Sequence, residues 1–422
     1  MHETDKKEKA LLIVIKEKRE SWSQEALALE FKALASSSGI SIIETHVFNL
    51  ATPNPRFYIG KGKVEEISEL AKELKVNTVI FNSNLNSNQQ RNLEDKINIK
   101  TLDRTQLILD IFARHAHTQE GILQVELAQL KYLLPRLRGK GIMLSRLGGG
   151  IGTRGPGEKK IEVDRRRIDE RITHLKKELK LIIQRREVMR KKREKSEVNS
   201  CSLVGYTSAG KTTLFNVLTS DSQKEAHSLF TTLDTVSRSF SIHQNFKVVI
   251  SDTVGFIYRL PPYLIEAFKA TLEELHYSDV LIHVVDASGK DIFEFKRVVD
   301  EILKELKLGG KKIIVVFNKI DCTPDEQLSL LKNRYPQSIF ISALKETGIE
   351  ELKQKIYQCL SEGSIEALVY LPFSKMKIAS YFHEHCEILK KSYENNETIY
   401  RLRLEKENLA YLEKIGLKIK KI

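Results

Sequence analysis

Residues 205–212 read Gly-Tyr-Thr-Ser-Ala-Gly-Lys-Thr, an unbroken match to G-x-x-x-x-G-K-[ST]. No other stretch constrains the chain as tightly. Such a loop needs a strand ending at its first glycine and a helix starting at its last. Only then do backbone N–H groups converge on an anion. Cys201-Ser202-Leu203-Val204 reads as a short buried strand, and Lys211 to Leu218 reads as a helix. Gly205 and Gly210 let the backbone bend where a Cβ would clash. The backbone N–H groups of Tyr206, Thr207, Ser208 and Ala209 complete the cradle. Lys211 would set its ammonium against β- and γ-phosphates, and the Thr212 hydroxyl would hold Mg²⁺.

Four further stretches follow in a workable order. Phe230-Thr231-Thr232-Leu233-Asp234 falls on an expected loop, where the Thr232 hydroxyl can reach Mg²⁺ and the backbone the γ-phosphate. Asp252-Thr253-Val254-Gly255 follows the strand Val248-Val249-Ile250. Its Asp would reach the metal through water, and its Gly N–H would sense the γ-phosphate. Asn318-Lys319-Ile320-Asp321 follows the strand Ile313 to Phe317. A carboxylate at Asp321 can accept from guanine N1–H and the 2-amino group. Adenine lacks that pair, so ATP would leave the carboxylate unpaired. Ser342-Ala343-Leu344 would touch the guanine carbonyl through backbone N–H. Taken together, these predict GTP as substrate with Mg²⁺. Residues 199–365 are expected to form one doubly wound sheet of six strands and about five helices, with the ligand at the carboxyl ends of the strands.

The residue after Gly255 is Phe256, where many GTPases carry a water-orienting Gln. Phenylalanine cannot hydrogen-bond a water. Slow unaided hydrolysis is expected, and no catalytic group can be named. Arg238 and Arg259 are candidates for stabilising transition-state charge, with a surface role the stronger reading.

Upstream, residues 1–110 alternate strand-like and helix-like segments, which predicts a small α/β domain with a mainly parallel sheet. Ser23 and Ser87 are the expected caps of two of its helices. Gly60-Lys61-Gly62-Lys63 lacks the spacing and the Ser/Thr of a second phosphate loop and reads as a helix-entry turn. Residues 111–198 read as an antiparallel helical hairpin. Leu123, Leu127, Leu130 and Leu134 recur on its first helix. Ile161, Ile168, Ile172, Leu175, Leu179, Ile182 and Met189 form a heptad seam on its second. Between them, residues 148–157 hold six glycines, which predicts a mobile loop.

Charge matters most in this hairpin. Residues 131–195 carry 22 Lys plus Arg against 8 Asp plus Glu, whereas the whole chain of 422 residues carries +13. The remainder is therefore close to neutral. A solvated face laced with i,i+4 ion pairs is one reading, and contact with a phosphate backbone is the favoured one. Tyr132 is the lone aromatic there, which favours folded RNA over stacked single strands. An anionic membrane surface is the second candidate, without stable insertion, because no apolar run approaches about 18 residues. The four cysteines are scattered, which fits a reducing cytoplasm. Residues 366–422 read as a small α/β appendage, with a strand at 368–372, a helix at 375–390, a strand at 398–404 and a last helix at about 405–415.

This order of parts resembles the HflX family of ribosome-associated GTPases over nearly the whole chain. The resemblance is carried by Tyr58 to Ile67, Gln89 to Glu94, Asp103-Arg104-Thr105, Gly121 to Leu130, and Gly148 to Glu158 leading to Asp164-Arg165-Arg166-Arg167-Ile168. It continues through Val204 to Thr213, Leu229 to Asp234, and Asp252 to Ile257, including the apolar Phe256. Lys159-Lys160-Ile161-Glu162-Val163-Asp164 departs from the family's usual Thr-Gln-Leu-Glu-Thr-Asp run. The resemblance implies binding to the large ribosomal subunit and its rRNA, splitting of stalled ribosomes under stress, and weak GTPase activity that the ribosome stimulates. The chain is expected to act as a monomer. A GTP- or ATP-using RNA remodeller acting on rRNA is the alternative.

Overall fold

Ala10 to Ile15 are consecutive buried residues, and they place β1 (Lys9–Glu17) inside a first sheet. The structure is a computed structural model that describes residues 8–137, 156–194, 199–220, 236–243, 246–261, 264, 269–362, 364–394, 397–404 and 406–422. After β1 come α1 (Gln24–Ser37), β2 (Ser41–Leu50), α2 (Lys61–Glu73), β3 (Thr78–Phe81), α3 (Ser87–Ile97), β4 (Lys100–Leu102) and α4 (Arg104–His115). The strands lie in the order β2-β1-β3-β4 and are all parallel, as the alternation predicts. Ser23 caps α1 by accepting from Ala26 N at 3.0 Å. Gly60 is the N-cap of α2, so the Gly-Lys-Gly-Lys run is a helix entry. The cap of α3 is Asn86 rather than Ser87. Asn86 Oδ1 accepts from Gln89 N at 2.8 Å while Gln89 Oε1 accepts from Asn86 N at 3.0 Å, a reciprocal pair that Ser87 could not make one residue later.

Two long helices follow, α5 (Gln119–Leu137) and α6 (Pro156–Glu194). They pack along the expected seam, with Leu123 and Leu127 against Ile172, Leu175 and Leu179. Arg171 forks onto Glu126 across the pair at 2.7 and 2.8 Å. Residues 148–155 of the loop expected at 148–157 lie outside the described residues, as do the side chains of Ile161 and Met189, while Pro156 and Gly157 already belong to α6.

The second sheet is built from β5 (Ser200–Gly205), α7 (Lys211–Thr219), β6 (Val236–His243), β7 (Phe246–Asp252), α8 (Lys269–Tyr277), β8 (Val280–Asp286), α9 (Ile292–Glu305), β9 (Lys312–Asn318), α10 (Asp325–Arg334), β10 (Ile339–Phe340) and α11 (Ile349–Ser361). Its order is β10-β9-β8-β5-β7-β6, with β6 antiparallel to β7 and the other pairs parallel. Winding runs one way from β5 through β7 and the other way through β8. The crevice at the carboxyl end of β5 is therefore the expected ligand site of such a sheet.

The chain closes with β11 (Ile365–Pro372), α12 (Ala379–His385), β12 (Glu387–Glu394), β13 (Glu397–Leu404), α13 (Lys406–Lys414) and β14 (Lys418–Lys421). This sheet, β12-β13-β11-β14, is antiparallel and carries α12 and α13, so the tail is a small unit of helices and strands as expected, with β12 and β14 as strands beyond the two expected. The stretch 375–390 is not one helix. It breaks at Cys386, whose φ of −134° and ψ of 148° are extended, and continues as β12. Pairing with β13, which buries Ile399, Tyr400, Leu402 and Leu404, overrides the local helical pattern.

One apolar cluster joins the first two sheet units. Trp22, Leu27 and Phe31 from the first meet Tyr206, Phe256 and Ile257 from the second. Trp22 stacks on Tyr258 at 4.6 Å between ring centroids and meets the edge of Phe295 at 5.2 Å.

Candidate nucleotide site

The phosphate loop runs from β5 to α7, and its two outer glycines are required by close approach. A Cβ on Gly205 would stand 2.3 Å from Val284 O. Gly210 has φ +88°, and a Cβ there would stand 2.3 Å from Asn318 Nδ2. Lys211 is 6 % exposed, and its ammonium donates to Gly205 O at 3.2 Å and Tyr206 O at 2.9 Å. Burial pushes its pKa down to about 8, against the pull of the Asp252 carboxylate. Thr212 Oγ1 donates to Asp252 Oδ2 at 2.8 Å. A hydroxyl beside a buried carboxylate is an oxygen donor set that suits Mg²⁺.

The segment Asp252-Thr253-Val254-Gly255 lies against the loop. Thr253 Oγ1 donates to Leu203 O at 2.6 Å. A Cβ on Gly255 would meet Thr207 Cγ2 at 2.8 Å and Lys211 Nζ at 3.1 Å. Phe256 is tied to the loop by its backbone, its N–H donating to Gly205 O at 3.0 Å and its carbonyl accepting from Thr207 N at 2.9 Å. Its ring is 2 % exposed and belongs to the shared apolar cluster.

Asn318 staples three stretches together. Its Nδ2 donates to Ala209 O at 2.9 Å and its Oδ1 accepts from Ala343 N at 2.9 Å. The Ala343 N–H expected to face guanine is thus engaged by Asn318 here. Lys319, at φ +66°, pairs with Asp286 at 2.6 Å. Ile320 N donates to Ile341 O at 3.2 Å. Asp321 is exposed, and the Ser342 hydroxyl bonded to it holds its carboxyl below the usual range. Leu344 is 71 % exposed. Phe230, Thr231, Thr232, Leu233 and Asp234, with the metal role expected of Thr232, lie outside the described residues. Of the two candidate arginines, Arg259 pairs with Glu20 at 3.0 Å and Glu17 at 3.5 Å, and Arg238 sits exposed on β6.

Sequence reasoning missed a network from the first sheet unit. Tyr206 OH donates to Glu30 Oε1 at 3.1 Å and accepts from Tyr258 N at 3.0 Å. Arg104 forks onto Glu30 at 2.6 and 3.0 Å and donates to Tyr258 O at 2.7 Å. Burial, with Glu30 adding to it, raises the Tyr206 phenol well above its ordinary value, so it stays protonated and can donate. The neighbouring Asp103 caps α4 and turns the other way. It accepts from Arg136 Nη2 at 3.0 Å and Tyr132 OH at 2.9 Å, both on α5. Two adjacent residues therefore hold the nucleotide-site segments on one side and the hairpin on the other. The only signal in the sequence was the Asp103-Arg104-Thr105 stretch that carried the resemblance.

Comparison with known proteins identifies the family of the chain. Family descriptions match in series: "GTP-binding GTPase N-terminal" at residues 25–113, "GTP-binding GTPase Middle Region" at 115–193, and "50S ribosome-binding GTPase" at 200–319. GTPase HflX of Caldanaerobacter subterraneus subsp. tengcongensis is 40% identical over 92% of this chain and 89% of its own. GTPase HflX of Escherichia coli is 38% identical over 88% of this chain and 87% of its own. Among solved structures, a GTP-binding protein from Sulfolobus solfataricus in complex with GDP aligns at 30% identity and TM-score 0.43, over 84% of this chain and 99% of that one. By identity and coverage, with the phosphate loop in place, the chain belongs to the HflX family of GTPases.

Proposed function

We propose that this protein is a monomeric, cytoplasmic, GTP-switched factor that binds the large ribosomal subunit and splits stalled ribosomes under stress. The carrying observation is the adjacency of Asp103 and Arg104. Arg104 holds the backbone of Tyr258, two residues beyond Phe256, while Asp103 holds Arg136 of the basic hairpin. A change at the γ-phosphate that moves residues 252–258 is thereby passed to the element with the excess positive charge. In this reading residues 205–212 cradle the phosphates, Thr212 and Thr232 hold Mg²⁺, and Asp321 reads guanine. The Phe256 ring offers no hydrogen bond to water, and Arg259 is committed to Glu17 and Glu20. Both facts support slow turnover until the ribosome contributes a group or a rearrangement.

Co-sedimentation with purified large subunits, across a salt series, tests the proposal. Retention is expected with a non-hydrolysable GTP analogue, with far less in GDP, and with a steep loss as salt rises. Equal retention in analogue, GDP and no nucleotide would reject the switch. Density-gradient profiles of intact ribosomes then test splitting. Nucleotide-driven unwinding of an RNA duplex without ribosomes would favour the remodelling alternative.

A further inference from the structure

The segment after Gly255 lies along the start of the phosphate loop like an added strand. Tyr206 and Phe256 form an isolated parallel bridge, with Phe256 N–H donating to Gly205 O at 3.0 Å and Thr207 N–H donating to Phe256 O at 2.9 Å. One residue earlier the contact is tighter still. A Cβ on Gly255 would stand 2.9 Å from Thr207 Cα and 3.1 Å from Lys211 Nζ. The γ-phosphate of a bound triphosphate belongs against that ammonium. To seat there it has to push Gly255 back, and the bridge with it.

What holds the segment down comes from one side chain. The Tyr206 phenol has a single proton and gives it to Glu30 Oε1 at 3.1 Å, so its lone pairs are left to accept from Tyr258 N at 3.0 Å. Glu30 is fixed in turn, because Arg104 forks onto both of its oxygens. Arg104 Nη2 also donates to Tyr258 O at 2.7 Å, so both backbone polar atoms of Tyr258 are held. The Tyr206 ring is itself buried, with its centroid 4.5 Å from that of Phe295, which keeps the hydroxyl in place.

Any residue at position 206 would offer its backbone N–H to an anion. The phenol adds something that phosphate binding does not need. We propose that Tyr206 is a specificity-determining residue: its hydroxyl pegs residues 255–258 over the γ-phosphate position and so makes the free protein favour GDP over GTP. This rests on residues 205–212 being the phosphate cradle. The diphosphate binds the pegged form as it stands. The triphosphate binds only the unpegged form, so its apparent affinity is scaled down by the fraction of molecules in that form. Removing the hydroxyl strands the half-buried Tyr258 N–H, weakens the pegged form and raises that fraction.

The test uses the full chain, wild type and Tyr206→Phe, titrated with GDP and with a non-hydrolysable GTP analogue in the presence of Mg²⁺. Wild type should bind GDP more tightly than the analogue. In Tyr206→Phe the ratio of analogue affinity to GDP affinity should rise at least about fivefold, the worth of one hydrogen bond. A merely structural role would weaken both nucleotides by the same factor and leave the ratio where it was. Hydrogen exchange on the wild-type chain gives a second reading, which decides should Tyr206→Phe fail to fold. The Phe256 and Tyr258 amides should be protected with GDP and exchange faster with the analogue. An unchanged affinity ratio overturns the proposal, as does equal protection of these amides with both nucleotides. A wild-type chain that binds neither nucleotide would instead overturn the reading of residues 205–212 as the cradle, and the peg with it.

Discussion

Lys211 shows how a buried cation can be both costly and useful. Its pKa of about 8 lies below the ordinary 10.5, so folding releases a proton between those values. The unfolded chain holds that proton, and the nucleotide-free protein should therefore gain stability as pH rises through the window. A bound polyphosphate reverses the balance and returns the proton. Calorimetry at about pH 9, in buffers of different ionisation enthalpy, should show proton uptake on GDP binding, and affinity should fall from about pH 7 to about pH 9. Heats that do not depend on the buffer would rule this out. At the other end of the site, Asp321→Asn removes the acceptor proposed for guanine N1–H and the 2-amino group. GTP affinity should drop about 100-fold or more, at roughly 1.5–3 kcal/mol for each charge-assisted bond. Xanthosine triphosphate, with a carbonyl in place of the 2-amino group, should gain. Unchanged preference in a competition assay would take Asp321 out of base recognition.

At the scale of elements, the hairpin rests on a narrow seam. Leu175 is fully buried there, and Leu175→Ala should cost about 2–5 kcal/mol of local stability. Hydrogen exchange should quicken in α5 and α6 and stay unchanged in β5 and β8. Protection that falls everywhere would mean that the hairpin is not a separate cooperative unit. That seam was legible because its signal is periodic: apolar residues at three- and four-residue steps need no knowledge of anything distant. The parallel sheets were legible for the same reason, since β1, β5 and β9 are short apolar runs bounded by polar turns. Residues 387–394 were not, because Glu-Ile-Leu-Lys-Lys-Ser-Tyr-Glu becomes a strand only through its pairing with β13. β14 escaped notice as well, having one apolar residue in Lys-Ile-Lys-Lys.

Across the whole molecule, the join between sheet units depends on contacts that no local pattern announces. Arg104 and Tyr258 are 154 positions apart, and Glu30 and Tyr206 are 176 apart. The Glu30–Arg104 pair is almost fully buried, and deleting one partner strands the other charge. Arg104→Ala should cost about 3–5 kcal/mol in denaturant unfolding. Glu30→Gln combined with Arg104→Met should cost less than Arg104→Ala alone, because no buried charge is then left uncompensated. A double variant worse than the single one would show that the pair contributes more than mutual neutralisation. The same join holds the chain's single tryptophan. Trp22 is fully enclosed, between the ring of Tyr258 and the edge of Phe295. All indole emission from this protein thus originates at the surface where the first sheet unit and the nucleotide-binding unit touch, and the colour of that light is a built-in readout of whether the two units are together or apart.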